Sequence, residues 1–309
     1  MLMASTSSAG QPSQISFYSL PVSTLIREAT PNPEELEALL RLLDDDTPAV
    51  REKIEERLVA CGGDLSEYLA SRSQALRQEE ERILSDLLAE GRRQRLHQDW
   101  ETPVSGALGL REDWELFESM LRVLSDFLHD GVTCRQSLSD ALDLMAEEAR
   151  DKNVADADQL RIHLFKQGLL RGNHKDYDDA RNSDLAWCVA EGKSNPIGLG
   201  VLFVLIARRL DLVVEPVPFP QHFLCRIHES SRPMIVDCFN RGQLHAQEEL
   251  LRNPDLSAEE RHSLKRVADP GSILVRILNN LHSALLNAER NEDAQLISQL
   301  RQSLIPAEA

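Results

Sequence analysis

The sequence contains no run of the ~20 apolar residues that a membrane helix needs. Its longest apolar run, Ile197 to Ala207, has eleven. It has no C-x-x-C pair, and its five cysteines, at 61, 134, 188, 225 and 238, are odd in number. That fits neither a disulfide framework nor a zinc ribbon. The thiols read as reduced, mostly buried groups of a cytoplasmic protein. Basic charge is in deficit, with 34 Lys and Arg against 51 Asp and Glu, a formal net charge of −17. Such a surface repels phosphate backbones and anionic bilayers, so neither nucleic acid nor membrane is an expected partner. Met1 to Ser16 has no basic start followed by an apolar run, so no signal peptide is expected. No internal repeat recurs at a fixed period.

What is present is ordinary globular composition: 309 residues, 42% hydrophobic and 28% charged. Residues 1–15 read as a flexible tail. From 16 to 97 the pattern is helical. Asn32-Pro33-Glu34-Glu35 opens one helix, with Leu36, Leu39, Leu40 and Leu43 at helical spacing. Thr47-Pro48 opens a second, with Val50, Ile54, Leu58 and Cys61. The pair resembles one HEAT-type repeat. Asp44-Asp45-Asp46 between them reads as a solvated helix end rather than a metal site. A third helix is expected over 64–96, closed by Arg92, Arg93, Arg95 and His97, cations that suit a helix C-terminus.

Residues 98–112 carry Pro103, Gly106 and Gly109 and read as a linker. Helices are expected near 113–129, 137–150 and 156–170. Asn195-Pro196 then precedes a helix apolar almost all round, which belongs at the centre of a domain. Gly198 and Gly200 in its first turns suggest close approach of another backbone. Strand signals appear only after residue 211: Leu212–Val217, His222–His228 and Met234–Phe239. Asp269-Pro270 opens a last helical pair, 271–288 and 292–304. Helices, then a small antiparallel sheet, then helices make an α+β pattern.

Alternation on the second strand puts His222, Leu224, Arg226 and His228 on one face. On the third, Asp237 shares a face with Ile235 and Phe239. Antiparallel pairing would set His222 beside Asp237, and a carboxylate beside an imidazole orients it and stabilises its charged form. Metal binding through His222, His228 and Asp237 matches no ligand spacing. Taken alone, His222 and Asp237 read as a structural hydrogen bond more readily than as catalytic groups. His174 and the other histidines form no cluster in sequence and receive no role.

Leu164 to Tyr177, Asn182-Ser183, Gly192 to Leu199, Pro220 to Leu224 and Ile235 to Gly242 together resemble the SirB family of transglutaminase-like proteins. The resemblance spans about 110–306. It implies a papain-like core over 113–268, with a central helix on a small antiparallel sheet, and a TPR-like hairpin over 269–309. In active members of the superfamily a cysteine begins the central helix and a strand His and Asp complete a triad. His222 and Asp237 match the latter two. Asn195-Pro196 falls where the thiol belongs, so the usual catalytic Cys is missing. Cys188, Cys225 and Cys238 read as small core residues. Ser194, the nearest hydroxyl, precedes the helix cap.

Two readings follow. One is a non-catalytic module that binds a protein or peptide ligand with basic patches. Its candidate binding residues are Asn195, Pro196, Gln221 and Asn240. The other is a hydrolase or acyltransferase with a displaced nucleophile, or a water activated by His222, in which His222 and Asp237 are catalytic. Neither implies a cofactor or a metal.

Overall fold

The computed structural model describes residues 31–305. The expected tail at 1–15 lies outside the described residues.

Five helices come first: α1 (Pro33–Leu40), α2 (Pro48–Val59), α3 (Ser66–Ser71), α4 (Gln78–Leu87) and α5 (Ala89–Asp99). Asn32 caps α1 by accepting from Glu35 N at 2.9 Å. Leu36, Leu40, Ile54, Leu58, Leu84 and Leu88 bury one compact cluster among them. The single helix expected over 64–96 is therefore three. The break has a tertiary cause. Arg72 leaves helical geometry after Ser71 and makes a two-pronged ion pair with Glu37 of α1, at 2.6 and 3.1 Å. The chain restarts where Glu80 accepts from Arg77 N at 2.7 Å. Of the cations expected at a helix C-terminus only His97 stands in the last turn of α5; Arg92 and Arg93 fall in its N-terminal half and serve tertiary contacts. Arg92 is buried and donates to Asp130 O, and Arg93 pairs with the buried Asp293 of the C-terminal hairpin at 2.8 Å.

The stretch 98–112 holds a 3-10 turn, Gly106–Leu110, strapped to the end of the chain by Ala107 N donating to Leu304 O. Then come α6 (Trp114–Leu128), α7 (Leu138–Asp151) and α8 (Ala157–Arg161), the last continuing into a π-turn over Ile162–Lys166. A two-residue strand β1 (Arg171–Gly172) follows, then α9 (Leu185–Glu191) and β2 (Lys193–Ser194), which pairs with β1 in parallel. These two strands precede residue 211, earlier than the sequence pattern suggests. Strands this short carry no periodicity to read.

Helix α10 (Pro196–Arg209) is the centre of the main core, and every residue from Pro196 to Ala207 is buried. An apolar surface on all sides is satisfied because α7, α9 and the sheet surround it. The antiparallel sheet has the order β3 (Glu215–Val217), β4 (Leu224–Glu229), β5 (Arg232–Asp237) and β6 (Gln243–Ala246). Phe223, Cys225 and Ile227 face the α10 core, while Leu224 joins Val217, Ile235 and Leu264 in a small cluster on the other side. The expected alternation therefore holds over β4. Helices α11 (Gln247–Arg252), α12 (Ala258–Ser263), α13 (Pro270–Asn287) and α14 (Asn291–Ser303) close the chain. The architecture is α+β and mostly helical. Among the described residues no helix is long and apolar enough to cross a membrane.

Candidate functional site

The site is assembled at the N-terminal end of α10. Asn195 Oδ1 accepts from Gly198 N at 2.9 Å, and Pro196 occupies the first turn, where a missing N–H costs nothing. Both residues are buried, so they shape the helix start rather than present a surface. A methyl group on Gly198 would meet Ser194 Oγ and the Asn182 carbonyl, a backbone approach as the sequence suggests. On Gly200 it would meet the Phe223 ring and Cys225 Sγ, which are side chains.

His222 stands in the loop before β4, two residues short of the strand on which the sequence pattern puts it. The loop is pinned from the C-terminal hairpin. Arg276 of α13 donates to Phe219 O at 3.0 Å and to His222 O at 2.7 Å. The guanidinium has no carboxylate partner among the described residues, and burial pushes its pKa down. Gln221 takes a left-handed φ of +55°, a strain that such surroundings hold in place. Across from the loop, β5 ends at Asp237. Asn240 N and Nδ2 donate to the two Asp237 oxygens at 3.1 and 2.8 Å. Arg161 braces the same turn by donating to Gly242 O at 2.6 Å.

These two braced turns bring His222 Nε2 to 3.0 Å from Asp237 Oδ1. The ring N–H does not point along that line, and Nε2 makes no aligned hydrogen bond. The two groups are in close contact, an ion pair whenever the imidazole carries a proton, with His222 a quarter exposed and Asp237 less so. Burial pushes the Asp237 carboxyl up, but the contacts from His222 and Asn240 outweigh it, and its pKa lies below the ordinary aspartate value.

Phe239 does not share a face with Asp237. The strand has ended, and the turn sends Phe239 to the core side, where His174, Tyr177 and His222 converge on its ring at 4.4, 5.7 and 6.2 Å. His174, which no spacing in the sequence singles out, therefore belongs to the site. It and Tyr177 sit on a loop fixed by two buried amides: Asn173 Nδ2 donates to Asn182 Oδ1 at 3.0 Å, and Asn182 Nδ2 donates to Asp176 O and Tyr177 O. The outlying candidates scatter. His228 lies exposed at the far end of β4, opposite Pro233. Among the described residues no three His, Cys, Asp or Glu side chains gather as a cation site requires.

The stretch that holds the buried helix, the His222 loop and Asp237 is also the part of the chain that is similar to known proteins. Residues 136–279 match the family model described as transglutaminase-like superfamily. This chain carries a transglutaminase-like domain. A UPF0162 protein of Xylella fastidiosa is 36% identical over 151 residues, 47% of this chain and 54% of that protein. A UPF0162 protein of Vibrio cholerae is 28% identical over 164 residues, 51% of this chain and 59% of that protein. The F-box only protein 21 of Homo sapiens is 32% identical over 83 residues, 27% of this chain and 13% of that protein. The chain spans about half the length of the first of these relatives. No solved structure matches it.

Inside the transglutaminase-like domain, no thiol or hydroxyl hydrogen-bonds the His222 ring among the described residues. Ser194 Oγ is buried and donates to Asn182 O at 2.9 Å, and Cys188 Sγ donates to Ser194 Oγ at 3.1 Å. Burial pushes the Cys188 thiol far up, and does the same to Cys238, which lies against Cys225. Cys225 Sγ points at Gly200 O. With Ellman's reagent on the folded protein, Cys134 is expected to react first and the half-buried Cys61 more slowly. Cys188, Cys225 and Cys238 are expected to react only in denaturant. Rapid labelling of any of these three in the folded chain contradicts the packing described.

The Asp237 carboxylate gives a pH test. Its folded pKa lies below its unfolded value, so the stability it contributes is present above ~pH 4 and lost as pH falls through the folded value. Asp237→Asn is expected to cost ~1–2 kcal/mol at neutral pH. The deficit against wild type, measured by urea unfolding, should shrink on acidification below pH ~4. A deficit that widens on acidification contradicts the ion pair.

Proposed function

We propose that this chain is a non-catalytic transglutaminase-like protein, of SirB type, that acts as a protein- or peptide-binding or regulatory module. One observation carries the reading. The helix that should begin with a nucleophile begins with the buried pair Asn195-Pro196, and proline offers neither a nucleophile nor an N–H. The surrounding thiols and the Ser194 hydroxyl are committed to carbonyls or to each other. In this reading His222 and Asp237 form a fixed polar pair beneath an aromatic rim, and Gln221 and Asn240, both exposed, are the polar groups a ligand meets. Asn195 and Pro196 act through the shape of the helix start. The segments 16–97 and 269–309, HEAT-like and TPR-like over 31–97 and 269–305 with the remainder outside the described residues, flank a domain over 113–268. Five free thiols and the absence of a membrane-spanning helix among the described residues support a cytoplasmic location.

The 3.0 Å contact between His222 and Asp237 supports a second reading, a hydrolase or acyltransferase that uses His222 to activate water. Assays of ammonia release from peptide glutamine, and of peptide and ester hydrolysis, separate the two. The binding reading predicts no turnover above buffer. Turnover that disappears in His222→Ala establishes the enzyme reading and overturns it.

A further inference from the structure

The four-stranded sheet has two edges, and the proline of its edge strand β3 shows how each is finished. Proline has no N–H, so Pro216 of β3 cannot occupy an inward, donating position. It points out, and Ala268 N covers its carbonyl at 2.8 Å. Ladder bonds alternate, so the orientation at 216 fixes all the others. Glu215 and Val217 bond to Arg226 and Leu224, and Cys225, Ile227 and Glu229 turn toward β5. The two-residue turn Ser230-Ser231, with φ of +45° and +69°, agrees, since such a turn is flanked by a bonded pair, here Glu229 and Arg232. Ile235 and Asp237 then bond outward to His245 and Gln243 of β6.

That leaves the N–H and C=O of Leu244 and the N–H of Ala246 pointing away from the sheet. None has a hydrogen-bond partner among the described residues. Leu244 and Ala246 are half-buried and still reach solvent. One edge of the sheet is closed by proline and a covering carbonyl bond. The other is open and lies level with the site, because Gln243 pairs with Asp237.

We propose that the outer edge of β6 docks an extended, basic segment of a partner protein, which adds to the sheet as a fifth strand. The proposal rests on the peptide-binding reading above and names its partner. A donor, acceptor, donor row at strand spacing is matched only by another extended backbone. Charge selects the partner. The chain carries −17, and Glu248 and Glu249 stand exposed directly beyond the strand. A second copy of the chain brings another −17 to the edge and is disfavoured. A strand on β6 would run ~10 Å from β5, level with Asp237 and the turn that carries Asn240.

The test uses the full chain and a fluorescent, end-capped peptide that alternates lysine and valine. Expected results are a rise in anisotropy with this peptide, none with its glutamate–valine counterpart, and a loss of about tenfold in affinity when alternate peptide amides are N-methylated. Leu244→Pro repeats on this edge what Pro216 does on the other and should weaken binding by a similar factor. Gln243→Ala, whose backbone faces β5, should not. If Leu244→Pro fails to fold, the N-methylated peptide still decides. The proposal is overturned if wild type binds no peptide, if the N-methylated peptide binds equally, or if the chain dimerises without peptide through this edge. Turnover in the assays above would overturn the non-catalytic reading while leaving edge binding intact, so the two failures are distinguishable.

Discussion

Gly271→Ala is expected to destabilise the protein by about 3 kcal/mol. A methyl group there would sit 2.0 Å from Ala107 O and 2.8 Å from its carbonyl carbon. Both are backbone atoms, and Ala107 is held from behind by its bond to Leu304 O. Neither side can give way without unhooking the 98–112 strap from the C-terminal hairpin. The same hairpin carries Arg276, so the His222 loop should loosen as well. Urea unfolding measures the first effect. An unchanged midpoint would show that the strap is not packed as described.

Gly200→Ala tests the interior beneath the site. The added methyl would meet the Phe223 ring at 2.4 and 2.7 Å and Cys225 Sγ at 3.4 Å. In an exposed helix this change would help by ~1 kcal/mol. Here Phe223 is fully buried, and its ring is pressed between α10 and β4. Overpacking should outweigh the helix gain and leave a net loss of about 2 kcal/mol. Because Phe223 adjoins His222, the ring should also move from Asp237. A stabilised variant would contradict the close packing of α10 on the sheet.

Much of this arrangement is legible in the sequence because it follows from apolar pattern. The run 197–207 could only be a central helix, and α10 is buried from Pro196 to Ala207. Alternation placed Phe223, Cys225 and Ile227 against the core and Asp237 near His222. The errors lie where tertiary contacts override local pattern. His222 leaves the strand because Arg276, fifty-four residues away, holds its carbonyl. Phe239 changes sides because Asn240 ends β5 at Asp237. The helix expected over 64–96 breaks because Arg72 is drawn to Glu37. His174 enters the site through Phe239, a contact that no spacing announces. The polar four-residue strand β6 has too little apolar alternation to read, and with it the open edge was hidden.

The central claim is that His222 and Asp237 stand without a nucleophile. The direct measurement is intact mass after incubating the folded chain with a peptidyl vinyl sulfone and, separately, a fluorophosphonate. The account predicts no adduct that depends on His222; labelling of exposed Cys134 should be identical in wild type and His222→Ala. An adduct on any other residue of the transglutaminase-like domain, present in wild type and lost in His222→Ala, would contradict it.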